Sequence, residues 1–248
     1  MHKEMMTFEL ATHFLPKVSL KLESYIQSIM DSQNESHPVI HHHALLNCNE
    51  VLNIVDKPEL KSRFLKEFLR VEHLLNRCQT KICNELYDLL FQQIQYLSNM
   101  NHNFANRLNE DLFLLAIRQN LTANNQSLND FCPQFQFWME ADPIIRREMI
   151  EKWINALHPL HKTVKTYLSI LRQTALSSVI KLDRGFYQQA LPPANNCHLI
   201  AVKLAKYYGA IPKINLGHFG LSIRLFDVES MREMHKDNTE IELALCQL

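Results

Sequence analysis

The chain has 248 residues, of which 46% are hydrophobic and 21% charged, so wholesale disorder is not expected. Its 26 basic residues balance 26 acidic ones, which argues against a general nucleic-acid or membrane-surface binder, because such proteins need a basic excess. No apolar run approaches the roughly 20 residues of a membrane span, and the first residues lack a signal-peptide pattern. We therefore expect a cytoplasmic protein with no membrane span, in which the six scattered cysteines are buried thiols.

The placement of glycine separates two regions of the sequence. All four glycines lie in the last third, and the first 184 residues contain none. A glycine-free stretch of that length favours helices joined by polar connections, whereas the last third is typical of strands with glycine turns. We predict an α+β protein, with an all-helical domain over residues 12–174 and a smaller antiparallel β-domain made of residues 1–11 and 175–248.

The helical region shows apolar residues at helical spacing in several segments. These segments follow Pro16 and Pro58, and run from Leu86 to Leu97 and from Leu108 to Leu121. Two further helices are predicted to open at Pro143 and at Pro159, because proline is tolerated in the first turn of a helix.

Three polar segments are interpreted as helix boundaries. Residues 34–43 are predicted to form a polar connection after the first helix. Asp56 and Glu59 resemble a capping box at the start of the next one. Glu110 and Asp111 are interpreted as acids at a helix start, where they suit the helix dipole.

Alternation of apolar and polar residues predicts strands in the last third. The pattern covers residues 198–205, 221–225 and 240–245, with Gly217 and Gly220 at a turn. Residues 6–10 alternate in the same way. We expect this N-terminal piece to pair with the C-terminal sheet, because a lone strand cannot satisfy its backbone groups.

The charge distribution changes in the same region. Residues 173–226 contain six basic residues and one acidic residue, whereas residues 227–248 contain two basic and six acidic. A basic segment of this kind suits an acidic peptide or a phosphate-bearing partner.

Motifs for catalysis or cofactor binding are not found in the sequence. It contains no G-x-S-x-G, Walker-type or dinucleotide-binding glycine motif, so we expect no enzyme and no cofactor. His41 to His43 are interpreted as a solvated loop, and the pair His158 and His161 lacks an evident third ligand, so metal binding is the lesser alternative for both.

Four aromatic residues of the helical region leave two readings open. Trp138, Trp153, Phe135 and Phe137 can line a ligand groove, but large aromatics at helical spacing belong more often to a core.

Seven segments in one order and spacing resemble the ZapD family of bacterial cell-division proteins. They are Phe64-Leu65-Lys66-Glu67, Glu110-Asp111 leading into Leu115 to Gln119, Trp153 to Leu157 with Pro159-Leu160, Leu171-Arg172-Gln173, Gly185 to Gln188, Gly217-His218 with Ile223 to Phe226, and Glu242 to Cys246. Each segment alone is weak, but seven in register over nearly the whole chain are specific.

The resemblance implies an FtsZ-ring-associated protein without enzymatic activity. Family members are dimers that have an α-helical dimerisation domain and a β-domain beside it. They bind the C-terminal tail of FtsZ, and a dimer with two such sites cross-links FtsZ protofilaments at midcell. The resemblance thus implies FtsZ and a second copy of the chain as partners.

The resemblance also implies that basic residues along a groove between the domains contact the tail's carboxylates. The positions of this chain that match in kind, together with a histidine that adds a donor, are Lys21, Lys57, Arg172, Arg184, Lys213, His218 and Arg224. Phe219, Leu221, Leu112 and Gln136 stand where the family pattern has charged or imidazole groups, which predicts a more apolar recognition surface here.

Two other functions remain as alternatives. The basic β-domain can bind nucleic acid, although aromatics do not interleave with its lysines in the sequence as a stacking platform needs. A metal-dependent enzyme can use the histidines named above. A gel shift at physiological salt and a metal analysis separate these functions from tail binding.

Overall fold

The computed structural model confirms an α+β protein, and its residues cluster into two compact units. One unit comprises residues 1–17, 74–83 and 168–248, and the other comprises residues 18–73 and 84–167. We call the first the β-unit and the second the helical unit. The described residues are 4–77, 82–124, 132–190, 197–217, 220–236 and 239–247.

Within the described residues, the α-helices lie in the first 173 positions, as the spacing of apolar residues predicts. They are α1 (Phe14–Asp31), α2 (Pro38–Val55), α3 (Glu59–Arg77), α4 (Asn84–Asn99), α5 (Asn106–Asn109), α6 (Leu112–Asn124), α7 (Pro133–Glu140) and α8 (Pro143–Gln173). The predicted helices after Pro16, after Pro58 and from Leu86 to Leu97 are thereby confirmed as α1, α3 and α4.

The predicted polar connection over residues 34–43 is wrong in its second half, because α2 already begins at Pro38. The His37 ring caps this helix by accepting a hydrogen bond from the backbone N–H of Val39. His41 is fully buried in the helix and is not part of a solvated loop. Helix is favourable for this polar sequence because it lets the buried His41 ring accept a hydrogen bond from Arg146.

The two helices predicted at Pro143 and Pro159 form one continuous helix, α8, which contains Pro159 in its interior. An interior proline costs about 3 kcal/mol, because it lacks an N–H and crowds the preceding turn. Leu157, Leu160 and Val164 around it are buried, and each contributes about 2 kcal/mol. Burial of the helix face therefore outweighs the local cost.

The predicted helix from Leu108 to Leu121 is interrupted at Asp111. The Asp111 Oδ1 accepts hydrogen bonds from the backbone N–H groups of Phe113 (3.0 Å) and Leu114 (3.1 Å), and so begins α6. The interpretation of Asp111 as a helix-start acid is confirmed. Asp56, in contrast, places its carboxylate 2.6 Å from the Arg118 guanidinium on α6.

The core of the helical unit contains large aromatic residues. The Tyr167 ring centroid lies 5.8 Å from that of Phe64 and 6.1 Å from that of Phe68, both in edge-on geometry. Trp153 and Trp138 are buried with their ring centroids 6.0 Å apart. The two tryptophans and Phe135 therefore belong to the core, whereas the Phe137 side chain is 80% exposed.

The strands confirm the alternation in the last third and add three that the pattern did not mark. The strands are β1 (Met5–Ala11), β2 (Leu176–Leu182), β3 (Phe186–Gln189), β4 (Leu199–Ala205), β5 (Ala210–Gly217), β6 (Gly220–Asp227) and β7 (Thr239–Cys246). They form two sheets with strand orders β1-β4-β7-β2 and β3-β6-β5, in which all pairs are antiparallel.

The N-terminal strand pairs with the C-terminal sheet as expected, since Met5 lies opposite Ala205 and Ala11 opposite Leu199. One apolar core joins the two sheets. Val202 and Leu243 of the first sheet contribute to it, as do Ile223 and Leu225 of the second. Because side chains alternate along a strand, the intervening residues of β6 lie on the opposite, outer face.

Candidate binding surface on the second sheet

The outer face of the second sheet combines cations with aromatic rings. In β6 the alternation turns Leu221, Ile223 and Leu225 into the core and leaves Arg224 exposed on the other face, with Ser222 and Phe226 beside it. Strand β6 is the central strand of this sheet, so its outer residues have neighbours on both sides.

Arg224 lies at the centre of a row across the sheet. Its register partners are Phe186 on β3 and Lys213 on β5. The guanidinium carbon of Arg224 is 4.8 Å from the centroid of the Phe186 ring, and Lys213 Nζ is 5.9 Å from that of Phe226. Such cation–π contacts orient the two charges over apolar surface while both stay accessible to a ligand.

An internal carboxylate already binds Arg224. Its Nη1 donates to both carboxylate oxygens of Glu233, at 3.2 and 3.1 Å. Both side chains are almost half exposed, so this ion pair contributes about 0–1 kcal/mol and exchanges readily. The pair therefore marks Arg224 as a carboxylate-binding group.

Arg184 occupies the turn that links the two sheets. Asp183 and Phe186 exchange backbone hydrogen bonds of 3.0 and 2.8 Å, while Arg184 and Gly185 have φ angles of 45° and 72°. This is the geometry of a two-residue hairpin turn with both central residues left-handed. Gly185 is required there, because a Cβ would overlap the backbone oxygen of Met234.

Arg172 forms an ion pair within the β-unit and is separate from the Arg224 row. Its Nε and Nη2 donate to the two carboxylate oxygens of Glu9, at 2.9 and 2.7 Å. The pair borders a cavity of about 360 Å³ on the first sheet, which Ala201 and Ala244 also line. This bidentate contact ties the end of α8 to β1.

The basic segment seen in the sequence is largely neutralised in the folded β-unit. Acids from distant strands and loops pair with four of its six cations: Lys181 with Glu240, Lys203 with Glu242, Lys206 with Glu4, and Arg224 with Glu233. The Lys203 hydrogen bond lowers the pKa of Glu242. Lys213 takes part in none of the ion pairs formed among the described residues.

Two of the seven residues expected to form one site are neighbours within the β-unit. Lys213 and Arg224 are direct neighbours, and Arg184 lies two residues before the Arg224 partner Phe186. Lys21 and Lys57 are exposed residues of the helical unit. His218 lies outside the described residues.

Sequence reasoning missed Phe186, Phe226 and Glu233. The alternation in residues 221–225 extends to Phe226 and would have placed it beside Arg224. The four-residue strand β3 is too short to show a period. The two phenylalanines also bring aromatic rings next to the cations, which the linear sequence did not indicate.

The helical unit buries an arginine among neutral acceptors. Arg146 Nε donates to His41 Nδ1 (3.1 Å), Nη1 donates to the backbone oxygens of Met139 and Ala141, and Nη2 donates to that of Ser36. The His41 Nε2 lies 3.0 Å from the oxygen of Glu35. Burial lowers the pKa of His41, and the Arg146 charge acts in the same direction.

An apolar groove of about 420 Å³ lies on the same unit. The residues that line it come from α6, α7 and α8, with one from the segment between α7 and α8: Phe113, Pro133, Gln134, Phe137, Trp138, Ala141, Ile145 and Met149. Phe137 and Ile145 expose 80% and 50% of their surface. Ala141 stands between two exposed acids, Glu140 and Asp142. The groove is thus apolar with acidic residues beside it.

Two kinds of feature are absent from the described residues. No group of three or more His, Cys, Asp or Glu side chains is placed there to hold a metal ion. Within the same residues, no helix has both the length and the hydropathy that crossing a bilayer requires.

Comparison with known proteins identifies the family. The sequence profile of ZapD, described as a cell division protein, matches residues 20–224, which is most of the chain. The chain belongs to the ZapD family of cell-division proteins.

Curated ZapD proteins match the chain along most of its length. Cell division protein ZapD of Nitrosomonas europaea is 22% identical over 240 residues, covering 94% of this chain and 91% of that protein. The ZapD protein of Coxiella burnetii is 25% identical, with 90% and 89% covered. That of Ralstonia nicotianae is 27% identical, with 83% and 84% covered.

Proposed function

We propose that this ZapD-family protein binds the C-terminal tail of FtsZ and, as a dimer, cross-links FtsZ protofilaments at the midcell division site in the cytoplasm. The observation that carries the proposal is the Arg224–Lys213 pair on the outer face of the second sheet. Arg224 holds the Glu233 carboxylate through an exposed, exchangeable ion pair, and Lys213 beside it forms no ion pair among the described residues. An acidic peptide finds two adjacent cations and two aromatic rings at this surface. The activity is binding and needs no catalysis.

The physics of bundling requires only weak individual contacts. Ordering a flexible tail costs conformational entropy, so a single site binds it weakly. A dimer presents two sites to a filament that carries one tail per subunit, and the second binding event gains from high effective concentration. Because the contacts are charge-assisted and exposed, bundling should weaken as the salt concentration rises.

Co-sedimentation with polymerised FtsZ tests the tail-binding surface. Arg224→Glu and Lys213→Glu should each abolish co-sedimentation and leave the melting temperature unchanged. Lys181→Glu, an exposed lysine of the first sheet, is the matched control and should bind as the wild type does. FtsZ that lacks its terminal tail should not bind. Equal binding by all variants would remove the second sheet as the site, and Lys21→Glu and Lys57→Glu would then test the helical unit.

The helical groove is the surface that we propose for the second copy of the chain. The exposed Phe137 ring lies beside the groove on the same face. A two-fold interface uses the same patch on both subunits, so the Phe137 ring of each copy can enter the groove of the other. Exposed Glu140 and Asp142 next to the groove disfavour an acidic tail as its occupant.

Light scattering measures the predicted dimer directly. Phe137→Asp should give a monomer that still binds an FtsZ tail peptide but no longer bundles filaments. Leu69→Asp, at another exposed apolar position of the helical unit, is the control and should remain dimeric. A dimeric Phe137→Asp variant would show that the second copy binds elsewhere.

Nucleic acid is the competing ligand, because Phe186 and Phe226 lie beside the cations of the sheet. A gel shift with single-stranded RNA and DNA at physiological salt separates the two functions. Tight binding there, together with no co-sedimentation with FtsZ, would favour the nucleic-acid function.

A further inference from the structure

Strand β5 is an edge strand of the second sheet and carries Lys213. Among the described residues it pairs with β6 alone. The backbone groups on its other side therefore have no strand partner there, and such an edge is a template for an added strand.

The hydrogen bonds show which residues face that open edge. The N–H of Val228 donates to the oxygen of Gly209 at 2.9 Å, and Ala210 lies opposite Asp227. In an antiparallel ladder, bonded and non-bonded pairs alternate, so Ile211, Lys213 and Asn215 bond toward β6. Every second residue in between turns its backbone groups to the open edge; these residues are Pro212, Ile214 and Leu216.

Pro212 fits this assignment, because proline has no N–H and is tolerated where the N–H side faces away from the sheet. Because Pro212 has no N–H, the donors that face the open edge between residues 212 and 217 are the N–H groups of Ile214 and Leu216. The pairing segment is therefore residues 212–217.

Side chains along the same segment define what an added strand has to carry. Lys213 and Asn215 are exposed on the outer face, whereas Ile214 and Leu216 are half-buried against the core shared by the two sheets. An added strand would place alternate residues beside each set. It needs apolar residues on the core side and acidic residues on the side of Lys213.

The open edge of β2 differs from that of β5 in charge. Its lysine, Lys181, lies 3.6 Å from the carboxylate of Glu240 on the neighbouring strand. Val179 and Leu176 on β2 are 71% and 74% exposed, so this edge is open but offers no cation free of an internal acid. Charge complementarity to an acidic peptide thus favours β5.

We propose that an extended peptide of alternating acidic and apolar residues adds to residues 212–217 of β5 as a fourth strand of the second sheet. This rests on the proposed function, in which the peptide is the FtsZ tail, and it assigns the mode of recognition: backbone hydrogen bonds to Ile214 and Leu216 supply affinity, and Lys213 with Arg224 selects acidic residues.

The first experiment uses an FtsZ tail peptide methylated at single backbone nitrogens, with the wild-type full-length protein. Methylation at every second residue, on the side that faces β5, should weaken binding about tenfold for each lost hydrogen bond. Methylation at the intervening residues should leave the affinity unchanged. This two-residue period distinguishes strand addition from a purely electrostatic contact, which would show no period.

The second experiment measures amide hydrogen exchange with and without the peptide. The amides of Ile214 and Leu216 should become protected, whereas those of β2 should not change. The variant Ile214→Pro removes an edge-facing N–H but also shortens a half-buried side chain, so Ile214→Ala is its control. The proline variant should bind the peptide more weakly than the alanine variant.

Each outcome decides between the proposals. If the peptide binds without a two-residue period and without protection of β5, strand addition is overturned and tail binding stands. If the peptide does not bind at all, the proposed function fails as well. If the β5 amides become protected at high protein concentration without peptide, a second copy of the chain occupies this edge and the peptide assignment is overturned.

Discussion

Arg146 of the helical unit and Arg224 of the β-unit differ in burial and in the kind of group that their guanidinium binds. Arg146 of the helical unit is buried, and its guanidinium donates to an imidazole and to backbone oxygens. Arg224 of the β-unit is exposed, and its guanidinium binds a carboxylate that is also exposed. A buried charge without its acceptors is costly, so Arg146 is tied to one structure, whereas Arg224 exchanges its partner at little cost. Arg146 therefore maintains the fold, and Arg224 is available for binding.

The largest effect is expected from aromatic residues on either side of the boundary between core and surface. Trp153→Ala should lower the free energy of unfolding by about 4 kcal/mol, because it opens a cavity among buried rings. Phe91→Ala, at a half-exposed position of the same unit away from the groove, should lower it by about 1 kcal/mol. Urea unfolding measures both, and similar losses for the two variants would contradict the core that we describe.

The next prediction compares the two arginines directly. Arg146→Met should destabilise the protein by about 3 kcal/mol, because the oxygens of Ser36, Met139 and Ala141 lose their donor. Arg224→Met should stay within about 0.5 kcal/mol of the wild type, since it breaks one exposed ion pair. Equal destabilisation of the two variants in thermal unfolding would show that Arg146 and Arg224 do not differ in their contribution to stability.

A smaller effect concerns pH and His41. The folded protein lowers the pKa of His41 below its ordinary value of 6.5, so the unfolded chain binds a proton there more readily. Stability should be greatest above pH 6.5 and should fall as the pH drops below it. In His41→Gln this part of the loss disappears, while His42 and His161, whose pKa values burial also lowers, remain in both proteins. Melting temperatures at pH 7.5 and 5.5 should show the smaller change in the variant.

The smallest predicted effect concerns the availability of Arg224 for binding. Glu233→Gln removes the acid that competes with a ligand for Arg224. Tail-peptide affinity should rise by about threefold, in line with the about 0–1 kcal/mol of an exposed ion pair, and stability should not change. Glu240→Gln, which frees Lys181, is the matched control and should leave affinity unaltered. Weaker binding by Glu233→Gln would exclude Arg224 as the group that receives the tail.

Local sequence patterns were sufficient for the division into helices and strands. Apolar spacing predicted α1, α3 and α4, and alternation predicted β4, β6 and β7 together with the return of β1 to the sheet. Such patterns record which face of an element is buried, and that information lies within a few residues.

For the candidate site, the sequence supplied the cations but not their arrangement. Arg224 and Lys213 were both named from the sequence, but only strand register makes them neighbours and sets Phe186 beside them. The short strand β3 carries too few residues for a period to show.

The sequence by itself determined the α+β class and the basic side chains available to the second sheet. Only the tertiary structure decided that α2 begins at Pro38, that α8 continues through Pro159, and which cations carry an acid. The physical reason is distance along the chain: His41 meets Arg146 across 105 residues, and Lys206 meets Glu4 across 202. Burial and charge pairing over such separations depend on the folded backbone, and no local pattern encodes them.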